Sequence, residues 1–304
     1  MKTIINTQLS TKMSTYSIKD VEHLSGIKAH TLRIWEQRYD LLATKRTDTN
    51  IRFYDQNDLK LILNVSLLNK HGYKISKISK MSEAELCAEV IAIADKTVQY
   101  DDQLQALTLC MLDLDEEKFE EIIDNCITKN GFENAMVQLI YPFLTRIGVL
   151  WHAGAVSPSQ EHFITYLIRQ KVIVAIDGHK YKNTGKKYLL FLPEGENHEL
   201  TLLFSNYLLR VRGQRVIYLG QSMPINDLKE AYTIHKPENI LCIITSTPNF
   251  EYVQSYINQL SSLFPEANIL LTGAQVIGQG LESPENVLIL NKIEDLLAFI
   301  GDNE

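Results

Sequence analysis

The sequence predicts a multidomain protein made of an all-α winged helix-turn-helix, a four-helix bundle and a doubly wound α/β domain. Three observations predict it. Residues 1–80 hold 14 Lys and Arg against 7 Asp and Glu, a balance of +7, whereas residues 81–304 hold 16 against 30, a balance of −14. Such asymmetry points to a small basic module joined to a larger acidic body. Between about 82 and 180, apolar residues recur at three- and four-residue spacings with no strand alternation, the pattern of packed helices. From Lys187 onward, short and nearly all-apolar runs alternate with helical segments, the pattern of a buried parallel sheet.

In chain order, residues 1–14 are polar and aperiodic, the expected character of a flexible arm. Residues 15–82 form the basic module. Its first helix is capped by Ser17 with Asp20 three residues on, and Gly26 ends it. A second helix, Lys28 to Tyr39, carries Leu32, Trp35 and Tyr39 at helical spacing and turns Thr31, Arg33 and Arg38 elsewhere. Two short helices about a Gly-containing turn are what a helix-turn-helix needs to present side chains to a major groove. Polar residues between two extended pieces then make a wing over 45–54, with Arg46 and Arg52 positioned for phosphates.

Residues 83–182 read as a bundle with helices over 83–95, 101–112, 115–130, 133–149 and 158–179. Its acids, such as Asp113, Glu116 and Glu120, are most simply a solvated face. Residues 183–304 place strands at 188–191, 215–219, 240–245, 268–272 and 287–290. In such sheets ligands bind beyond the carboxyl ends of the strands, which selects the loops at 193–198, 220–221, 246–247 and 273–274. His198 lies in the first of these between Glu196 and Glu199. A neutral imidazole there suits a transition metal, with Glu196 orienting its second nitrogen; the plain alternative is a solvated His.

Composition sets the outer bounds. A chain of 304 residues, 45% hydrophobic, with 14 Gly and 8 Pro, is globular and neither disordered nor collagen-like. No run approaches the ~18 apolar residues of a membrane span, so the expectation is a cytoplasmic protein with no membrane partner. Cys87, Cys110, Cys126 and Cys242 show no metal or disulfide spacing and are expected to be buried free thiols.

The run Thr31-Leu32-Arg33-Ile34-Trp35-Glu36-Gln37-Arg38-Tyr39, then Leu41-Leu42, Arg46, Arg52-Phe53-Tyr54 and Asp58-Leu59, resembles the MerR family of transcription regulators. Asp40 stands where that family usually has Gly, and Ala43-Thr44 where Pro often follows the Leu pair. The resemblance implies a double-stranded DNA operator as partner, contacted by Thr31, Arg33, Arg38, Tyr39, Arg46, Arg52 and Tyr54. Residues 188–300 resemble flavodoxin-like cobalamin-binding domains. Glu196-Asn197-His198 matches their acid-any-His element, whose His ligates cobalt from below; Ser246-Thr247 and Gly273 match positions along the nucleotide tail. Thr201 and Ala274 replace small glycines there. Trp151, followed after nine residues by Glu161-His162, resembles the element of light-sensing, cobalamin-dependent MerR-type repressors that covers the upper face of the cofactor. Without that resemblance, Trp151 reads as a core aromatic and Glu161-His162 as an ordinary first helical turn.

These resemblances imply a regulator, not an enzyme: a repressor whose oligomerisation, as dimer or tetramer, and operator binding respond to adenosylcobalamin and light. Trp151 would shield the upper ligand, Glu161 would bond the adenosyl group and His162 would take the upper axial position after photolysis. Methyl- and hydroxocobalamin are alternative forms. A second reading keeps DNA binding and treats the cobalamin domain as degenerate, retained for dimerisation or an antirepressor.

Overall fold

The computed structural model describes residues 15–42, 45–47, 49–96, 100–152, 156–179 and 185–301. The chain forms two compact units, residues 1–167 and 168–304.

In the first unit, α1 (Ile18–Ser25) begins at the Ser17–Asp20 capping box and ends at Gly26, whose φ of 70° is a left-handed turn that glycine enters without strain. α2 (Ala29–Tyr39) ends at Asp40, also left-handed at φ 49°. Aspartate is among the few non-glycine residues that tolerate this region, so the departure from Gly leaves the turn intact. β1 (Lys45–Arg46) and β2 (Arg52–Phe53) pair antiparallel as the wing, and Tyr16 bridges Tyr54 beside them. α3 (Gln56–Lys70) starts at a second capping box, Asp55 with Asp58, and buries Leu59, Ile62, Leu63, Val65, Leu67 and Leu68. A helix buried on several faces lies between packed layers. α4 (Ile75–Ile78) and α5 (Glu83–Lys96) follow.

α6 (Tyr100–Asp113) is the central helix of the bundle, buried continuously from Gln105 to Leu112. Around it stand α7 (Glu116–Asn130), α8 (Phe132–Ala135), α9 (Tyr141–His152) and α10 (Pro158–Asp177). The spacing predicts one helix over 133–149; the structure instead inserts a wide π turn, Met136–Ile140, between α8 and α9. Pro142 explains it, because a proline inside a helix lacks the N–H and crowds the carbonyl four residues back. The buried carboxylate of Asp102 on α6 is held by Lys70 Nζ at 2.9 Å and His71 Nε2 at 2.7 Å from the end of α3. The winged module and the bundle thus share one core. α10 continues past the division between the units, so its last ten residues belong to the second.

The second unit is a five-stranded parallel sheet in the order β4-β3-β5-β6-β7, with β3 (Lys187–Pro193) central to the crossover, β4 (Arg215–Met223), β5 (Asn239–Ile243), β6 (Asn268–Thr272) and β7 (Val287–Ile289). α11 (Leu200–Val211), α12 (Ile225–His235), α13 (Phe250–Leu263) and α14 (Ile293–Gly301) alternate with the strands. Both faces of the sheet are covered: Leu189, Phe191, Ile240, Cys242, Ile269 and Leu271 pack with Val253 and Ile257 of α13, while Tyr188, Leu190 and Leu241 are also fully buried. That is why these strands read as unbroken apolar runs. From β3 the chain steps to β4 on one side and then crosses over to β5 on the other, so the connections that leave β3 and β5 run in opposite directions and open a crevice at the carboxyl ends of these parallel strands.

Cys110, Cys126 and Cys242 are buried free thiols; the Cys87 side chain lies outside the described residues. Among the described residues no helix is long and apolar enough to cross a membrane, and no cluster of three or more His, Cys, Asp or Glu forms a metal cage.

Candidate functional site

The crevice is organised around one carboxylate. Glu196 follows β3 and is fully buried. One oxygen accepts the N–H groups of Asn197 at 2.9 Å and His198 at 3.0 Å and the Nδ1 of His198 at 2.6 Å. The other accepts three successive N–H groups after β5, from Thr245 at 3.0 Å, Ser246 at 2.5 Å and Thr247 at 3.0 Å. The Ser246 hydroxyl adds a contact at 3.2 Å. Burial alone would raise this acid, but the Ser246 N–H, the His198 ring and the other donors outweigh it and bring the pKa down from 4.5 to about 2. Glu196 is therefore an anion that ties the loops after β3 and β5 together.

The consequence for His198 is chemical. A carboxylate at 2.6 Å accepts from Nδ1, so the neutral tautomer suited to this contact carries its proton there and its lone pair on Nε2. The His198 side chain is 62% exposed, so the ring is open to a ligand from outside. A neutral imidazole with one nitrogen anchored and the other free is the donor an axial metal position requires. The residues present therefore fit a cobalt centre carried by a ligand from outside the protein.

Glu196 and His198 are brought together with Ser246 and Thr247, in two of the loops that the rule about strand carboxyl ends selects. Gly273 lies farther along the same end of the sheet, at φ 113°, and a side chain there would meet the backbone of Ile244. Its lack of a Cβ serves the joint between β5 and β6. Thr201 is in the first turn of α11 and its carbonyl accepts the Ser205 hydroxyl at 2.8 Å; Ala274 is exposed.

Sequence reasoning misses the support of this loop. Glu199, next to His198, is only 9% exposed; it accepts Arg169 Nε of α10 and the Tyr218 hydroxyl of β4, both at 2.8 Å. Ser222 N–H reaches the Glu196 carbonyl at 3.2 Å. None of these contacts has a local sequence signal, since the partners lie 30, 19 and 26 residues away.

In the first unit, Glu161 accepts the Thr165 hydroxyl at 2.8 Å, and His162 is 66% exposed on the same turn of α10. Trp151 is in the last turn of α9; its side chain lies outside the described residues. On the winged module Arg33, Arg38 and Arg46 are exposed and Thr31, Tyr39 and Arg52 partly so. Arg46 folds onto its own turn, donating to Asn50 O at 3.0 Å. Tyr54 departs from expectation. It is 2% exposed, and its hydroxyl donates to Glu36 at 2.9 Å, with Arg52 Nε 3.7 Å from the same carboxylate. A phenol buried and engaged in this way secures the wing to α2 and presents nothing to DNA in this conformation. Ala43 and Thr44 lie outside the described residues.

Residues 16–85 match the MerR HTH family regulatory protein family, and residues 103–175 match the B12 binding domain family. The chain joins a MerR-type helix-turn-helix domain to a B12-binding domain. The chain is 24% identical to the HTH-type transcriptional repressor CarH of Myxococcus xanthus over 258 residues, 83% of this chain and 86% of that one. It is 25% identical to the repressor CarA of the same organism over 226 residues, 74% of each chain. The similarity is to non-catalytic regulators of transcription, which supports a non-enzymatic role. The solved monomethylamine corrinoid protein of Methanosarcina barkeri shares the fold, with a TM-score of 0.52 at 13% identity, covering 67% of this chain and 100% of that one.

Proposed function

We propose that this MerR-type regulator is a one-component, light-responsive repressor whose assembly and operator binding are controlled by adenosylcobalamin. The observation that carries the reading is the Glu196-anchored His198, whose free Nε2 suits the lower face of cobalt, in a chain that also bears a helix-turn-helix. When bound, the cofactor supplies a cobalt–carbon bond that green light breaks. The protein's own part is to hold both faces. Glu196 would keep the proton on Nδ1 of His198; Ser246, Thr247 and Gly273 would line the tail; Trp151 and Glu161 would cover and bond the upper group; and His162 would supply a further nitrogen donor on that side once the group has left. In darkness this clamp favours an oligomer that presents several basic modules to repeated DNA sites, and linkage of sites raises avidity by about 10²–10⁴ without any new base contact. Light shifts the population toward the form that binds the altered cofactor.

Equilibrium dialysis with adenosylcobalamin tests the cofactor step. The wild type is expected to form a coloured complex, and His198→Ala to lose about tenfold or more in affinity with an altered spectrum. Thr201 in the first turn of α11 favours the second reading, a cobalamin domain kept for dimerisation or an antirepressor; no uptake by the wild type at millimolar cofactor is the result that selects it.

Arg33, Arg38, Arg46 and Arg52, with Thr31 and Tyr39, are the residues proposed to meet DNA, Thr31 and Arg33 nearest the bases. Arg33→Ala is expected to cost about 1–3 kcal/mol on the preferred duplex and to relax base preference. Arg52→Ala is expected to weaken binding on all duplexes and flatten its salt dependence. Fluorescence anisotropy on a set of single-base variants checks both, and an Arg52→Ala loss confined to one base position contradicts the phosphate role.

A further inference from the structure

The end of α6 meets two other elements at one atom. The last four carbonyls of a helix have no intrahelical donor, and Leu112, one residue from the end of α6, is buried, so its carbonyl needs a partner from elsewhere. The carbonyl oxygen of Leu112 accepts the side-chain amide of Gln56 at 2.8 Å and that of Gln160 at 3.3 Å. Gln56 is the first residue of α3, two positions after Tyr54 at the foot of the wing. Gln160 is in the first turn of α10, adjoining Glu161 and His162, and is 5% exposed.

The other end of the Gln160 amide is also engaged. Its Oε1 accepts the Ser157 N–H at 3.0 Å and hydroxyl at 3.1 Å, while the backbone N–H of Gln160 donates to Ser157 Oγ at 3.3 Å. This reciprocal cap sets where α10 begins. One side chain therefore fixes the start of α10 and reaches α6, and the same carbonyl fixes the start of α3. The next residue, Asp113, pairs with Lys60 one turn farther along α3, so the first two turns of α3 are each held at one point by the end of α6.

We propose that the Leu112 carbonyl, held by Gln160 on one side and Gln56 on the other, is the joint through which the first turn of α10 sets the position of the DNA-reading module. A carbonyl has two lone pairs, and here each serves a different element. The Gln160 bond is the longer, so a small rotation of the first turn of α10 breaks it first and leaves a buried acceptor partly unsatisfied, which the α3 side must absorb. The proposal rests on the reading above, in which Glu161 and His162 answer to the cofactor, and it gives that answer a route to the wing within one protomer.

The test uses the full-length protein and two near-isosteric variants. Gln160→Glu keeps the oxygen that caps α10, and glutamate is itself a capping-box residue, but the donor to Leu112 is gone. Gln56→Glu removes the donor from the other side, at a helix N-terminus where an acid is tolerated. Without cofactor, Gln160→Glu is expected to speed hydrogen exchange in the first turn of α3 about fivefold, the equilibrium value of one neutral hydrogen bond. The ratio of DNA affinities of loaded and unloaded protein is then measured on a single-site duplex selected from a random pool, so that avidity does not enter. Each variant is expected to shrink that ratio about fivefold, and the double variant no further, because both act on one carbonyl, with cofactor absorbance unchanged. Unaltered exchange in α3 for both variants overturns the joint. Raised exchange with an unaltered affinity ratio overturns its role in transmission. A wild type whose single-site affinity ignores the cofactor overturns transmission within one protomer and leaves control by assembly intact; the regulatory reading itself fails instead if the wild type takes up no cofactor, and the exchange result alone then decides the joint.

Discussion

Gly273→Ala is expected to destabilise the α/β unit by about 3–5 kcal/mol, on the scale of the largest core defects. The residue sits at φ 113°, where an L side chain is strained by roughly 1–3 kcal/mol before any contact is considered. A Cβ there would also stand 2.7 Å from the carbonyl carbon and 2.9 Å from the nitrogen of Ile244, and closer still to its oxygen. These are backbone atoms and cannot rotate aside. Relief requires the ends of β5 and β6 to separate, at the expense of the Ile244 N–H to Thr272 O bond at 2.8 Å and the Gln275 N–H to Ile244 O bond at 3.1 Å. Gly280→Ala is the control. It too has a positive φ, 66°, but nothing lies within 4 Å of the added methyl, so its cost is expected near the backbone penalty of about 1 kcal/mol. Thermal or urea unfolding of the two variants checks the difference. Equal losses would contradict the backbone-contact account.

Glu196→Gln is expected to be the second large effect, at about 3 kcal/mol. The carboxylate faces only donors: the N–H groups on both loops, the His198 ring and the Ser246 hydroxyl. An amide keeps one acceptor oxygen and turns an NH2 toward either the His198 side or the three N–H groups of 245–247. Each buried donor left without an acceptor costs about 1–3 kcal/mol. The pH dependence gives a second readout. Because the folded pKa is held below the ordinary value, the carboxylate contributes stability fully above about pH 4.5, and this contribution is lost as pH falls toward about 2. Urea titrations at intervals across that window are expected to show a wild-type decline that the Gln variant lacks in part. The variant also frees the His198 ring to turn, with an expected 10–100-fold loss of metal-centred affinity. A variant as stable as the wild type at pH 7 and equally acid-sensitive would contradict this role.

Much of this was legible in the residues because local rules and tertiary structure agree. The Ser17–Asp20 cap, Gly26, and the apolar runs of the sheet read the same way in both, and the rule about strand carboxyl ends directed attention to the loops that do converge. The acid-any-His spacing put Glu196 and His198 within reach because two residues in a tight loop return the chain on itself. What was hidden depended on distant partners. Tyr54 reads as a surface aromatic in a basic wing, but Glu36, eighteen residues earlier, draws its hydroxyl inward. The π turn before α9 was signalled only by Pro142. Glu199 carries no role in the sequence beyond its place next to His198, and only the packing of α10 and β4 around the loop gives it Arg169 and Tyr218. Gln56 and Gln160 carry no motif at all; their shared acceptor is a property of the fold.

The central claim is that cofactor state controls DNA binding. The most direct measurement is the affinity of the adenosylcobalamin-loaded protein for its selected duplex in darkness and after green light, with absorbance recorded on the same sample. The account predicts tight binding in the dark and a fall of at least about tenfold after illumination, together with a decrease in oligomer size, since avidity is lost with assembly. An affinity unchanged by light, while the absorbance shows cofactor bound and photolysed, would contradict it.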